Sequence, residues 1–325
     1  SAGDYSIYQK GFLLGLQKDY KGKISAMDRL ISEYPESQYV DDALFEKGRS
    51  YVLLENSSSA AQAFEKLIRE FPQSSLSRKA GIQLGLLYYN DNQPEKALAA
   101  YKQVISNYPG SEEAKIALQD LKSVYIDLND INAYASYVNS IGGNIRLEVG
   151  EQDSLTYIAA EKLFMRGDND GARRSLAGYL QTFPEGAFSS NANFYLGSIA
   201  FAKKEFDEAI QRFKLVIASG DTKFLEESVA RTAEIEYLSK DYPAALESFK
   251  RLLIVAENPE NRQAARLGIM RCALQTGQQK DALLAADELL KEPKLSPELE
   301  AEARYVRAKA YIAQKQANKA LADLK

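Results

Sequence analysis

Apolar and small residues recur along this chain as a comb with evenly spaced groups of teeth. One group is Leu44, Gly48 and Tyr51, followed by Ala60, Phe64 and Leu67 and closed by Pro72. The group returns downstream as Leu84, Gly85, Tyr88, Ala97, Tyr101, Val104 and Pro109, and stands upstream as Gly11, Leu14, Met27, Leu30 and Pro35. Within a group the apolar residues fall three and four apart with polar residues between, so each group predicts two amphipathic helices. A repeat of about 37 residues predicts stacked helix pairs, because one pair cannot bury its apolar faces alone.

Each landmark has a physical role. Gly48 has no Cβ, so a partner helix can approach closely there, and Ala60 is the small residue expected to receive it. Pro72 cannot continue a helix and pushes Phe71 towards extended geometry, which closes the second helix. In Pro35-Glu36-Ser37, Pro72-Gln73-Ser74 and Pro109-Gly110-Ser111 a serine follows two places after proline, where its hydroxyl is expected to cap the next helix.

The first three repeats are the most regular. The fourth keeps Leu118, Leu121, Tyr125, Ala133 and Tyr137, but Ile141-Gly142-Gly143 replaces its closing proline and the phase slips. Residues 142–153 carry three glycines and the alternating run Ile145, Leu147, Val149, and read as a linker, with an extended crossing strand as the alternative. A bend of the array is expected there. This divides the chain into repeats 1 to 4 (1–141), the phase break (142–153) and repeats 5 to 9 (154–325). The comb resumes with Ala160, Leu163, Ala172, Leu176, Tyr179 and Pro184, then Gly197, Ala209, Phe213 and Val216. Ala245 with Phe249, Ala282 with Leu289 and Ala320 with Leu324 mark three more second helices. In these later repeats the close-approach glycine is Ala233 in the seventh, Ala308 in the ninth, and displaced to Gly268 in the eighth. The last repeat stops at Lys325 inside its second helix, which is expected to be a truncation.

The pattern Leu-x-x-x-Gly-x-x-Tyr, then Ala-x-x-x-Phe, then Pro, resembles the tetratricopeptide repeat, whose period is about 34 residues. The Tyr-Pro-x-Ser or Phe-Pro-x-Ser joints at Tyr34 to Ser37, Phe71 to Ser74 and Tyr108 to Ser111 are similar to those of bacterial envelope proteins of the BamD and YbgF type. The resemblance implies an all-α, right-handed α-solenoid of about eight to nine helix-turn-helix units. It also implies a groove for a partner's peptide, lined by the stripe one position beyond the packing stripe of each first helix. That stripe holds Tyr8, Phe12, Phe45, Arg49, Tyr89, Tyr157, Phe164, Phe194, Phe201 and Tyr237, a row of aromatics suited to anchoring contacts. Co-chaperones of the family that grip a C-terminal carboxylate use Lys and Asn there. The corresponding places here are Tyr8, Phe12, Phe45, Arg49, Ile82 and Leu86, so that clamp is missing. The expectation is a non-catalytic scaffold of a bacterial cell envelope. It would be periplasmic, attached to the outer membrane through an anchor not seen in this chain, and would bind proteins or peptides, as in outer-membrane protein assembly. The alternatives are a cytoplasmic regulatory array and the helical scaffold of an enzyme whose catalytic domain lies elsewhere.

Composition narrows the chemistry. Lys and Arg total 41 against 45 Asp and Glu, a net charge of -4 with the signs interspersed, whereas a nucleic-acid surface calls for a clustered basic stripe. No apolar run approaches the roughly 18 residues of a membrane span, and mean hydropathy is -0.36. The start, Ser1-Ala2-Gly3-Asp4, is neither a signal peptide nor an initiator Met, so a processed chain or an excised piece is expected. Histidine is absent, which removes the commonest general base and metal ligand, and no cofactor or metal site is expected. The one cysteine, Cys272, lies in an apolar helical run and reads as a buried small hydrophobe. Arg166-Gly167-Asp168, followed by Asn169-Asp170-Gly171, falls where the fifth repeat must turn, and turns select these residues for their backbone geometry.

Overall fold

Helix pairs hinge on a single left-handed residue, and that residue recurs with the period of the comb. It is Lys18, Glu55, Asn92, Asn129, Gly167, Lys204, Lys240, Gly277 and Lys315, with φ between 54° and 81° throughout. The next residue caps the second helix. Asp19, Asn56, Asp130, Asp168 and Asp241 each accept a hydrogen bond from a backbone N–H three residues on, at 2.9 to 3.3 Å. Arg166-Gly167-Asp168 is one of these hinges, with Gly167 left-handed and Asp168 capping.

The computed structural model describes residues 2–142, 145–220 and 222–324. Ser1, Gly143, Asn144 and Lys325, which entered the expectations about the ends and the phase break, lie outside the described residues. Eighteen helices occur among the described residues, and no strand. They form two compact units, 1–147 and 148–325. The first unit comprises α1 (Ala2–Leu16) and α2 (Tyr20–Glu33), α3 (Val40–Leu53) and α4 (Ser57–Glu70), α5 (Ser75–Asn90) and α6 (Pro94–Asn107), α7 (Glu112–Asp127) and α8 (Ile131–Ile141). The second comprises α9 (Val149–Met165) and α10 (Asn169–Thr182), α11 (Ser189–Ala202) and α12 (Phe206–Ser219), α13 (Leu225–Leu238) and α14 (Tyr242–Val255), α15 (Pro259–Gln275) and α16 (Gln279–Leu290), α17 (Pro297–Ala313) and α18 (Ala317–Asp323). In each unit a helix packs mainly on its neighbours in sequence, the arrangement of an α-solenoid.

The segment without helix is shorter than the expected 142–153. Ile145 to Glu148 lie in neither helix nor strand, and α9 already begins at Val149. An early start is useful because it brings Asp153 into the first turns of α9, where its carboxylate is buried and holds the far end of its own repeat. The Tyr179 hydroxyl donates to it at 2.5 Å and the Ala187 N–H at 2.9 Å.

Seams follow the comb, with one correction. What lies under Gly48 is the ring of Phe64 rather than Ala60: a Cβ on Gly48 would stand 2.5 Å from that ring. Tyr101 under Gly85, Phe213 under Gly197 and Met27 under Gly11 repeat the relation. Glycine thus lets a large side chain fill the gap between the helices of its own repeat. The serines at the joints divide. Ser74 and Ser111 cap α5 and α7 as expected. Ser37 does not cap α3, which begins at Val40 behind Tyr39; its hydroxyl donates instead to Asp4 in the first turn of α1, at 2.7 Å. Ser74 adds the same link to Asp41, also at 2.7 Å. Acidic residues at the starts of first helices therefore clasp the joint at the far end of the repeat. Cys272 is fully buried, and desolvation pushes its thiol up to about 11.

Candidate partner-binding face

Residues one place beyond the packing stripe project from the first helix of each repeat, and the structure sorts them by what each side chain touches. Phe12 is open, with 48% of its surface exposed. Tyr8 stacks on Tyr39 at 5.2 Å, and burial pushes its phenol up. Phe45 is half-buried against Phe64, and Arg49 pairs with Glu46 at 3.2 Å. Tyr89 remains partly exposed while its hydroxyl donates to Asp127 of the next first helix. These first-unit residues thus have different degrees of freedom to meet a partner.

In the second unit Tyr157 is a core residue and offers no binding surface. It is 2% exposed, stacked on Phe188 at 4.5 Å, with its hydroxyl donating to Glu161 at 2.6 Å. The stripe position is the same as that of Phe45, but the joint after α10 brings Phe188 over it. Phe194 is likewise covered in part by Phe224, stacked at 4.2 Å, and Phe164 packs on Tyr195 at 4.6 Å. Phe201 carries the Arg231 guanidinium over its ring at 4.7 Å.

Tyr237 borders a cavity of about 390 Å³ between α13 and α15, on the first-helix face. Its floor is apolar: Ala230, Leu267, Phe249 and Leu252. Its rim is charged but internally paired. The Arg231 guanidinium bonds Glu227 at 2.8 Å and Glu234 at 3.0 Å. Arg271 donates twice to Glu302, at 2.7 and 2.8 Å, which raises its already high pKa.

The displaced glycine of the eighth repeat explains this cavity. Ala233 stands where Gly48, Gly85 and Gly197 stand, so Phe249 cannot slide beneath its own first helix. The ring turns to the next repeat, where a Cβ on Gly268 would meet Phe249 at 2.4 Å. Phe249 retains 9% exposure, against 0% for Phe64 and Phe213, and forms part of the cavity wall. Sequence reasoning found Tyr237 for this face, read Phe249 and Gly268 as packing positions only, and missed Arg231 and Arg271. The available signal was the exchange of Ala233 for glycine together with the displaced Gly268.

Two tetratricopeptide-repeat family models match the sequence, one over residues 5–37 and one over 159–222. These segments lie in different units, and each spans helices built on the seam just described. The chain is a tetratricopeptide-repeat protein. A third family model, described as the outer membrane lipoprotein YfiO, matches residues 41–119, so the repeats over those residues are of the BamD-like type. Among solved structures, this repeat protein is similar to the TPR domain of P58(IPK), at 16% identity over 99% of this chain and 91% of that one, with a TM-score of 0.32. It is similar to the TPR2AB domain of yeast Sti1 in its complex with pHSP90, at 13% identity over 84% and 99%, with a TM-score of 0.39. A tetratricopeptide repeat protein from Parabacteroides merdae matches at 16% identity over 87% and 90%, with a TM-score of 0.28. No curated protein matches. As a repeat protein of this family, the chain is a protein-interaction scaffold.

Proposed function

We propose that this scaffold belongs to a bacterial cell envelope, that it has no catalytic role, and that it holds extended segments of partner proteins along the first-helix face. The observation carrying the binding reading is the cavity between α13 and α15, apolar at the floor and paired at the rim. A bulky apolar side chain can enter it without breaking an ion pair, and the rim guanidiniums retain N–H groups for a partner's backbone carbonyls. The envelope reading rests on the 41–119 match to an outer membrane lipoprotein model and places the protein in the periplasm beside the outer membrane.

A photo-crosslinking residue introduced in cells tests the binding face. Placed at Ala264, on the cavity rim, it is expected to capture partner protein; placed at Ile254, 84% exposed on a second helix, it is expected to capture none. Adducts at Ile254 alone would move the working surface to the second helices. Fractionation of the same cells, with the protein recovered in the cytoplasm, would overturn the envelope reading.

A further inference from the structure

We infer that Glu161 is a recognition point for a basic side chain, lysine or arginine, of the partner segment; this rests on the reading of the first-helix face as the binding surface. Two tyrosine hydroxyls from adjacent repeats converge on one oxygen of this carboxylate. Tyr157 donates to Oε1 at 2.6 Å and Tyr195 donates to the same atom at 3.0 Å. Asn191 Nδ2 donates to the Tyr157 oxygen at 3.2 Å, which commits the Tyr157 proton to Glu161. The network holds the carboxylate as an acceptor and leaves Oε2 without a protein donor among the described residues.

Several other acids on first helices are paired with a cation. Glu46 meets Lys23 and Arg49, Glu227 and Glu234 meet Arg231, and Glu302 meets Arg271. Glu161 has no cationic partner among the described residues. Beside it stands Phe164, partly exposed and packed on Tyr195. A fixed carboxylate with one bare oxygen next to an aromatic face suits a guanidinium or ammonium, which gains a charge-assisted hydrogen bond and a ring contact together. An acidic segment would meet like charge at Glu161.

The test uses the whole chain with ring-13C-labelled tyrosine, and two isosteric probes, N-acetyl-arginine amide and its uncharged analogue N-acetyl-citrulline amide. The arginine probe is expected to shift the Tyr157 and Tyr195 resonances with an affinity about tenfold above that of citrulline. The preference should fall to parity in Glu161→Gln. The amide oxygen of that variant can still accept from both tyrosines, and an unchanged thermal melt verifies that the fold is kept. Equal affinities for the two probes in the parent protein, or a preference that survives in Glu161→Gln, would overturn the inference, as would no shift with either. N-acetyl-leucine amide, read at Tyr237, separates this from the general reading. If it binds and arginine does not, the cavity stands and the Glu161 site falls; if neither binds, both fall.

Discussion

Glycine-to-alanine substitutions along this solenoid should change sign from site to site, and the geometry says where. At Gly268 an added Cβ lies 2.4, 2.4 and 2.5 Å from three atoms of the Phe249 ring, a contact that no small rotation relieves. Overpacking of this kind costs roughly 1–3 kcal/mol or more, against which alanine regains about 1 kcal/mol of helix propensity over glycine. Gly268→Ala should therefore destabilise by up to about 2 kcal/mol or more. At Gly197 the corresponding distances are 2.9 to 3.1 Å, so a modest shift of Phe213 absorbs much of the clash and the loss should be smaller. Gly178, inside α10, has nothing within 4 Å of the added atom, so alanine there should stabilise by about 0.5–1 kcal/mol. The double variant Ala233→Gly, Gly268→Ala supplies the decisive comparison. It reopens the seat beneath α13, so Phe249 can adopt the position of Phe64 and part of the loss should be recovered. Urea denaturation gives the ranking, and hydrogen exchange over α13 to α16 localises it, which matters because repeat arrays can lose cooperativity. Gly268→Ala as stable as Gly178→Ala, or no recovery in the double variant, would refute the exchanged ring seat.

Other perturbations address the hinges, the clasps and the core. Glu55→Gly and Lys204→Gly place glycine at left-handed φ values of 56° and 61° and should each stabilise by about 0.5–1 kcal/mol in urea melts, after the greater flexibility of the unfolded chain is allowed for. Asp153→Ala strips the Tyr179 hydroxyl and the Ala187 N–H of their buried acceptor and should lower stability by about 2 kcal/mol or more, while Asp153→Asn recovers part of this. Cys272 should resist a thiol reagent at pH 8 and react once urea unfolds its repeat, because it is buried and its thiol is raised to about 11; rapid labelling of the folded protein would contradict its place in the core.

The repeat, the two helices in each unit and the residues of the seam were all legible, because Phe64, Leu67, Phe213 and their counterparts sit at helical spacings that only one packing satisfies. The hinges were legible where a turn-forming residue marks them, as at Gly167. At Lys18, Glu55, Lys204, Lys240 and Lys315 a residue with no turn preference is forced left-handed by the helices on either side, and propensity carries no trace of that. The Asp4 to Ser37 clasp was hidden for another reason: serine after proline matches a helix cap, and its actual acceptor stands a whole repeat away. Tyr157 was misread because stripe position alone does not distinguish it from Phe45. The difference comes from Phe188, which belongs to a joint.

Both candidate recognition features lie where the repeat departs from its own rule. A regular repeat satisfies itself: glycine admits the ring, the ring fills the seam, and in the second repeat Glu46 pairs with Lys23 and Arg49. Ala233 breaks the first condition. With its seat occupied, Phe249 moves to Gly268, and the space between α13 and α15 becomes a cavity walled by a ring that elsewhere would be wholly buried. Glu161 breaks the last condition, since two tyrosines hold its carboxylate in the place of a cation. Regular repeats in such an array supply stability to their neighbours, so an irregular one can keep an unfilled cavity or an unpaired charge without unfolding. That asymmetry directs the search for partners to the second unit, where an apolar side chain and a basic one carried on the same extended segment would meet both departures at once.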